Sequence, residues 1–149
     1  MRIPFSILFI AATATSCIAA DIKRIDPVGL QKPNRYSHVV IAKGEKTIYI
    51  AGQVAADAAG NVVGKGDLAA QTDKALQNLK IALAAAGATF ADVVKMTYFI
   101  VNLKPSMMPP IRSVRDKYFP SDFPAGTAVG VQALAGEDYL IEIEAVAVI

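Results

Sequence analysis

The sequence predicts an α+β fold, a mixed sheet with two helices on one of its faces. Three observations carry this expectation. The segment order reads strand, strand, short strand, helix, strand, helix, strand, strand, which implies two crossovers of the βαβ kind. Apolar residues recur at three- and four-residue spacing from Leu68 to Ala86. At the C-terminus, Ile141, Ile143, Ala145, Ala147 and Ile149 alternate with Leu140, Glu142, Glu144, Val146 and Val148, as side chains do along a strand. With 149 residues, 54% hydrophobic and 19% charged, there is material for one domain around one core.

Residues 1–20 are expected to lie outside that domain as a cleaved export signal, and residues 21–149 to form it. Arg2 supplies the positive start, Ile3 to Ala12 the apolar centre, and Cys17-Ile18-Ala19-Ala20 the small-residue end at which a peptidase cuts. The expected location is periplasmic or secreted. Two alternatives stay open: an uncleaved anchor, or a lipoprotein-like end at Thr15-Ser16-Cys17 that would tie the chain to a membrane through a lipidated Cys17. Removal of the signal takes the only cysteine with it, which suits an oxidising compartment.

Each element has a local reason. Val39 to Ala42 and Thr47 to Val54 are β-rich runs on either side of the polar turn Lys43-Gly44-Glu45-Lys46. Asn61-Val62-Val63-Gly64 is a short strand or turn. The first helix starts at Leu68, capped by Asp67, and ends at Gly87, which takes a left-handed conformation cheaply. Its buried stripe is expected to be Leu68, Thr72, Ala75, Leu76, Leu79, Leu83 and Ala86, with Gln71 elsewhere. Val93 to Val101 is β-branched and aromatic, hence a central strand with Val94, Met96, Tyr98 and Ile100 on one face. A second helix is expected from about Pro109 to Tyr118, because proline is tolerated in a first turn and Pro120 stops the helix. Thr127 to Gln132 and Leu140 to Ile149 complete the sheet. The final strand puts two carboxylates, Glu142 and Glu144, on the face away from the helices. A covered core would not tolerate them unpaired, so an oligomer with sheets facing one another around partly polar contacts is expected.

Several function classes are excluded or disfavoured by composition. A net charge of +2, with no Lys/Arg run longer than Lys23-Arg24, leaves no footprint for a phosphate backbone. One cysteine cannot form a disulfide within the chain, and one histidine with one cysteine cannot make a tetrahedral zinc site. No metal and no cofactor are expected.

Five strings then stand in a telling order: Tyr49-Ile50-Ala51-Gly52-Gln53-Val54, Ala84-Ala85-Ala86-Gly87, Val94-Lys95-Met96-Thr97-Tyr98-Phe99-Ile100, Phe123-Pro124-Ala125 and Ile141-Glu142-Ile143-Glu144-Ala145. In register across nearly all of residues 21–149, they resemble the RidA/YjgF family. The resemblance implies a chorismate-mutase-like α+β fold, a homotrimer with the sheets forming a central barrel, and small-molecule clefts between subunits. It also implies hydrolysis of reactive enamines and imines to a carbonyl compound and ammonia, without cofactor. On the family pattern Glu142 orients the attacking water, and Tyr36 lines the cleft together with Lys104 or, after a small shift, Asn102. The substrate-gripping arginine expected in Pro-Ala-Arg-(Ser/Thr) is absent: the chain has Pro124-Ala125-Gly126-Thr127, with Ala128 where many members carry Cys. Gly126 and Thr127 thus mark the carboxylate end of the cleft, and a cation from elsewhere is needed, with Lys104 first, then Arg35, Arg112 and Arg115. A planar fork binds a carboxylate bidentately, and glycine cannot.

Plainer roles exist for each residue. Glu142 and Glu144 could be subunit contacts, Tyr36 a packing aromatic, Lys104 a solvated loop end, and His38 a surface residue at a strand start. Three functions follow: an enamine/imine deaminase, a non-catalytic trimeric binder of small metabolites in the same cleft, or an interaction protein acting through an apolar surface. Whether the chain is an enzyme is left open by the missing arginine.

Overall fold

A computed structural model describes residues 20–149, so the expected export signal and Cys17 lie outside the described residues apart from Ala20. Among the described residues, six strands and two α-helices follow in chain order: β1 (Asp21–Ile25), β2 (Val39–Lys43), β3 (Thr47–Val54), α1 (Leu68–Ala85), β4 (Val93–Val101), α2 (Met108–Arg115), β5 (Ala125–Val131) and β6 (Ile141–Val148), with short 3-10 turns at Phe90–Asp92 and Pro105–Met107. The main sheet has the order β3-β6-β4-β5, and β1 and β2 form a separate antiparallel pair. β6 is antiparallel to both β3 and β4, while β4 and β5 are parallel. Both expected crossovers are therefore present. The connection β4–α2–β5 joins adjacent strands, whereas β3–α1–β4 spans β6, which inserts between them.

The helices share one face of the sheet, α1 packing on β3, β6 and α2. Beneath them lie Leu76, Leu79 and Leu83 of α1, Met96, Tyr98 and Ile100 of β4, and Ile141, Ile143, Ala145 and Ala147 of β6, all buried. Asp67 caps α1 as expected, its Oδ1 accepting from the backbone N–H of Ala69 at 2.9 Å and of Ala70 at 3.0 Å. Gly87 ends that helix region with φ +77°, a conformation that costs a side-chain-bearing residue more.

Four details differ from the sequence reading. Gln71 is fully buried because a polar side chain can enter a core when both its ends are bonded: its Nε2 donates to the Asp138 carbonyl and its Oε1 accepts from Leu140 N–H, both at 2.8 Å. Ala86, expected on the buried stripe, is exposed. A register shift between Val93 and Lys95 turns Val93 rather than Val94 into the core, the usual effect of an extra residue in a strand. Finally, β2 pairs with β1, Asp21 opposite Lys43 and Ile25 opposite Val39, and not with β3. The polar turn after β2 is instead tied to the C-terminus, Glu45 and Lys46 N–H both donating to Ile149 O at 2.8 Å.

Among the described residues, the opposite face of the main sheet carries no helix. Register places Tyr49, Val146, Lys95, Thr97, Thr127 and Glu142 on it, since paired residues point the same way. Tyr49 there is 80% exposed.

Candidate functional site

Glu142 is held by three strands. Its Cα partners are Phe99 on β4 and Val54 on β3, and it stands on the helix-free face at the rim of a depression of about 330 Å³. Phe99, Val131, Ala133, Leu134 and Ala135 form the rest of that wall. The carboxylate lies against the backbone of β3 where the β3–β6 register slips between Ile50 and Gln53. At that slip stands Gly52, and a Cβ there would overlap the Glu142 carboxylate. A glycine inside a strand permits such a close approach. Its role was not drawn from the sequence, although a glycine interrupting an otherwise regular strand string was the signal for it. Glu144, two residues on, is exposed and opposite Thr97.

The missing-arginine position is elsewhere. Gly126 is the register partner of Met96, so a side chain on it would point to the helix side, away from Glu142. Two strand spacings and three residues separate the two positions, about 14 Å in the plane of one sheet. Thr127, facing the other way, accepts a hydrogen bond from Lys95 Nζ. A Cβ built on Gly126 would lie 3.2 Å from the Tyr36 Cβ. Tyr36 and Gly126 are thus neighbours. Tyr36 is fixed by the bridge between Ser37 and Ala125, by Ser37 N–H donating to Pro124 O at 3.0 Å, and by Ser37 Oγ donating to Phe123 O at 2.6 Å. His38 stacks edge-on against Tyr36, ring centroids 5.1 Å apart, and its Nε2 is 2.8 Å from Gln31 O.

Among the substitute cations, Lys104 is exposed and follows the far end of β4. Gly126 sits beside the start of that strand, and the run from Met96 to Val101 alone spans about 16 Å. In one protomer, then, Lys104 does not meet Gly126. Arg35, next in the chain to Tyr36, and Arg115 gather instead on one acid. Asp116, which ends α2, has Oδ2 paired with Arg35 Nη1 and Oδ1 at 3.3 Å from Arg115 Nη2. Arg115 is buried, its guanidinium carbon 4.8 Å from the centre of the Phe123 ring. Burial lowers its pKa, the charges of nearby Arg112 and Arg35 lower it further, and neighbouring Tyr98 opposes them. Tyr98 is itself pushed up to about 12 by burial, with the Arg115 charge pulling the other way. Asp116, the hub of this cluster, was missed in the sequence because an acid beside a basic helix end reads as an ordinary surface pair.

One protomer therefore presents an acidic half-site around Glu142 on the helix-free face and, apart from it, a cationic cluster of Arg35 and Arg115 held by Asp116. Among the described residues no group of His, Cys, Asp or Glu is arranged to hold a metal ion.

Comparison with known proteins agrees with this architecture. A family model described as Endoribonuclease L-PSP matches residues 29–149. The human 2-iminobutanoate/2-iminopropanoate deaminase is 36% identical over 113 residues, 76% of this chain and 79% of the human protein. A RutC family protein of Pyrococcus abyssi is 38% identical over 100 residues, 67% of this chain and 76% of that one. Among solved structures, YyfB from Yersinia pestis, a Rid family protein of unknown function, superposes with a TM-score of 0.81 at 42% identity, covering 86% of this chain and 98% of YyfB. Rv2704 from Mycobacterium tuberculosis, a member of the YjgF/YER057c/UK114 family, gives 0.60 at 34% identity over 76% and 86%. With the family model spanning most of the chain and a Rid family structure superposing at a TM-score of 0.81, this chain belongs to the RidA/YjgF family.

Proposed function

We propose that the protein is a hydrolytic deaminase of small 2-imino acids and their enamine tautomers, acting at clefts completed between copies of the chain in a homotrimer. The observation that carries this is the seat of Glu142, a carboxylate that a side-chain-free backbone at Gly52 admits to the rim of a largely apolar depression. A positioned carboxylate can take a proton from water as the water oxygen bonds to the C=N carbon. That proton passes to nitrogen to give a carbinolamine, whose hydroxyl proton then also goes to nitrogen as the C–N bond breaks and C=O forms, so that ammonia and the 2-oxo acid leave. Family membership and a deaminase relative at 36% identity support the same chemistry. The helix-free face, with Tyr49 80% exposed, supports a covered surface of the trimer kind, and trimerisation offers a way to bring one copy's acidic half-site to another's cationic cluster.

Glycine at position 126 favours a second reading, a trimer that binds small carbonyl metabolites without turning them over. The ribonuclease activity in the matching family's description gains no support from this chain, whose net charge is +2 and whose one histidine is engaged with Gln31 O. Export with cleavage after Ala20 is part of the proposal too, checked by N-terminal sequencing of protein recovered from the periplasm. The deciding assay is ammonia release from 2-iminopropanoate generated in situ. Acceleration over buffer supports the deaminase. No acceleration, with 2-oxobutanoate still bound, leaves the binder.

A further inference from the structure

A second cavity stands apart from the Glu142 depression. About 480 Å³ in volume, against about 330 Å³ at Glu142, it shares no lining residue with that depression and includes neither Tyr36 nor Gly126. Three segments wall it: β1 through Ile22 and Arg24, the 3-10 turn before β4 through Phe90 and Asp92, and the stretch after α2 from Tyr118 to Asp122. Its apolar side is aromatic. The Phe90 ring centroid lies 5.1 Å from that of Tyr118 and 5.0 Å from that of Phe119, edge-on to the latter, and Phe119 is buried in the core. Its polar groups are charged. Among the described residues Arg24 makes no ion pair, and its Nε is buried with no acceptor, a cost that proteins ordinarily avoid. Asp92 and Asp122 line the same space. Asp92 Oδ2 accepts from Thr89 N–H at 2.8 Å and from Thr89 Oγ1 at 2.9 Å, and Asp122 Oδ2 accepts from Ser121 Oγ at 3.0 Å. In each carboxylate Oδ1 has no partner among the described residues.

We propose that this cavity binds an amphipathic zwitterion, an α-amino acid with an aromatic side chain, its carboxylate on Arg24, its ammonium on Asp122 and its ring against Phe90, Tyr118 and Phe119. The charges of the site select the charges of the ligand. A guanidinium and two carboxylates line one space without pairing with each other, so each can take the opposite charge from a bound molecule, and charge-assisted bonds of this kind are the strong ones. Asp92 adds its charge to the pull of Asp122 on the ammonium. The aromatic side favours a flat apolar body, which gains edge-on partners and leaves water. A volume of about 480 Å³ is that of a small-molecule site. Ile22 and Arg24 precede residue 29, where the match to the family model begins, so that model does not include the arginine on which this site turns. The site uses no residue of the proposed deaminase chemistry and stands whether or not Glu142 activates water.

The test uses the full chain and three probes: L-phenylalanine, 3-phenylpropanoate, which lacks the ammonium, and 2-phenylethylamine, which lacks the carboxylate. Binding is followed by ligand-observed NMR. L-phenylalanine is expected to bind at least about tenfold more tightly than either analogue. Arg24→Met should weaken L-phenylalanine and 3-phenylpropanoate by at least about tenfold and leave 2-phenylethylamine unchanged. Asp122→Asn, which keeps a residue that tolerates the φ of +55° at this position, should weaken L-phenylalanine and 2-phenylethylamine and leave 3-phenylpropanoate unchanged. The analogue that each variant spares reports an intact cavity, which a merely misfolded variant would not show. The proposal is overturned if L-phenylalanine binds no more tightly than its analogues, if either variant binds it like the parent, or if either variant loses all three probes. It is overturned as well if 2-oxobutanoate competes with L-phenylalanine, since the two would then share the Glu142 cleft.

Discussion

Glu142 keeps its place because Gly52 has no side chain, and this makes Gly52 the most economical point at which to disturb the site. Gly52→Ala puts a methyl group where the carboxylate lies, and the carboxylate must move. A displacement of about 1 Å costs on the order of a hundredfold in rate when geometry is the catalyst. The expected outcome is a fall in ammonia release of that order, with the circular dichroism spectrum preserved. Near-parent turnover in Gly52→Ala would mean that the carboxylate's present position is not the working one. The candidate residues were unevenly legible at this scale. Glu142, Tyr36 and Gly126 stood out because each falls in a short string with a family pattern. The contacts of Gly52 with Glu142, and of Arg35 and Arg115 with Asp116, join residues remote in sequence or pair charges in a way that local spacing does not encode. Lys104 stood first as a substitute cation by its position in the chain, yet it lies at the other end of the strand.

Gln71 shows how an element serves the site. From a buried position on α1 it bonds Asp138 O and Leu140 N–H, and so secures the segment between β5 and β6 whose Ala133, Leu134 and Ala135 wall the Glu142 depression. Gln71→Leu keeps the volume but leaves both backbone groups without partners, at about 1–3 kcal/mol for each. Denaturant unfolding is expected to show a loss of about 2–4 kcal/mol, and a loss under about 0.5 kcal/mol would contradict the latch. The helix itself was legible from its caps and apolar spacing, whereas Gln71 was not, since polarity in a sequence reads as exposure until its partners are known. β1 was missed for the same reason: Asp21, Lys23 and Arg24 leave Ile22 and Ile25 as its only apolar residues, three apart and hence without the period of two that marks a strand. Two phenols report on how α2 and the segment after it pack. Burial raises Tyr98 to about 12. Burial first, then the Asp73 carboxylate that accepts the Tyr118 hydroxyl at 3.0 Å, raises Tyr118 to about 12. A raised folded-state pKa stabilises the fold fully below the free value of 10.0 and is lost as pH climbs toward 12. The midpoint of thermal unfolding should therefore drop steeply between pH 10 and pH 12, less so in Tyr118→Phe. Ionisation of both phenols at pH 10 in folded protein, read at 295 nm, would contradict this packing.

Over the whole molecule, the acidic half-site and the cationic cluster of one protomer lie apart, so the proposed chemistry needs a second copy. The alternation of β6 already implied this, because Glu142 and Glu144 share a face that no helix covers. Sedimentation should give three times the monomer mass, and Tyr49→Arg, which places a charge on that face, should shift the mass toward the monomer and reduce turnover with it. A parent protein that sediments as a monomer at micromolar concentration would leave the cleft incomplete. The fold was legible from periodicity and face polarity, and the joining of Arg35 to Asp116 was not, because it brings together segments remote in the sequence. The central claim is that one carboxylate of the two on β6 activates water, and it is tested most directly by comparing Glu142→Gln with Glu144→Gln in ammonia release from 2-iminopropanoate. The account predicts a loss of about a hundredfold or more for Glu142→Gln and a rate within about twofold of the parent for Glu144→Gln. Equal rates in the two variants, or the larger loss at Glu144, would contradict it.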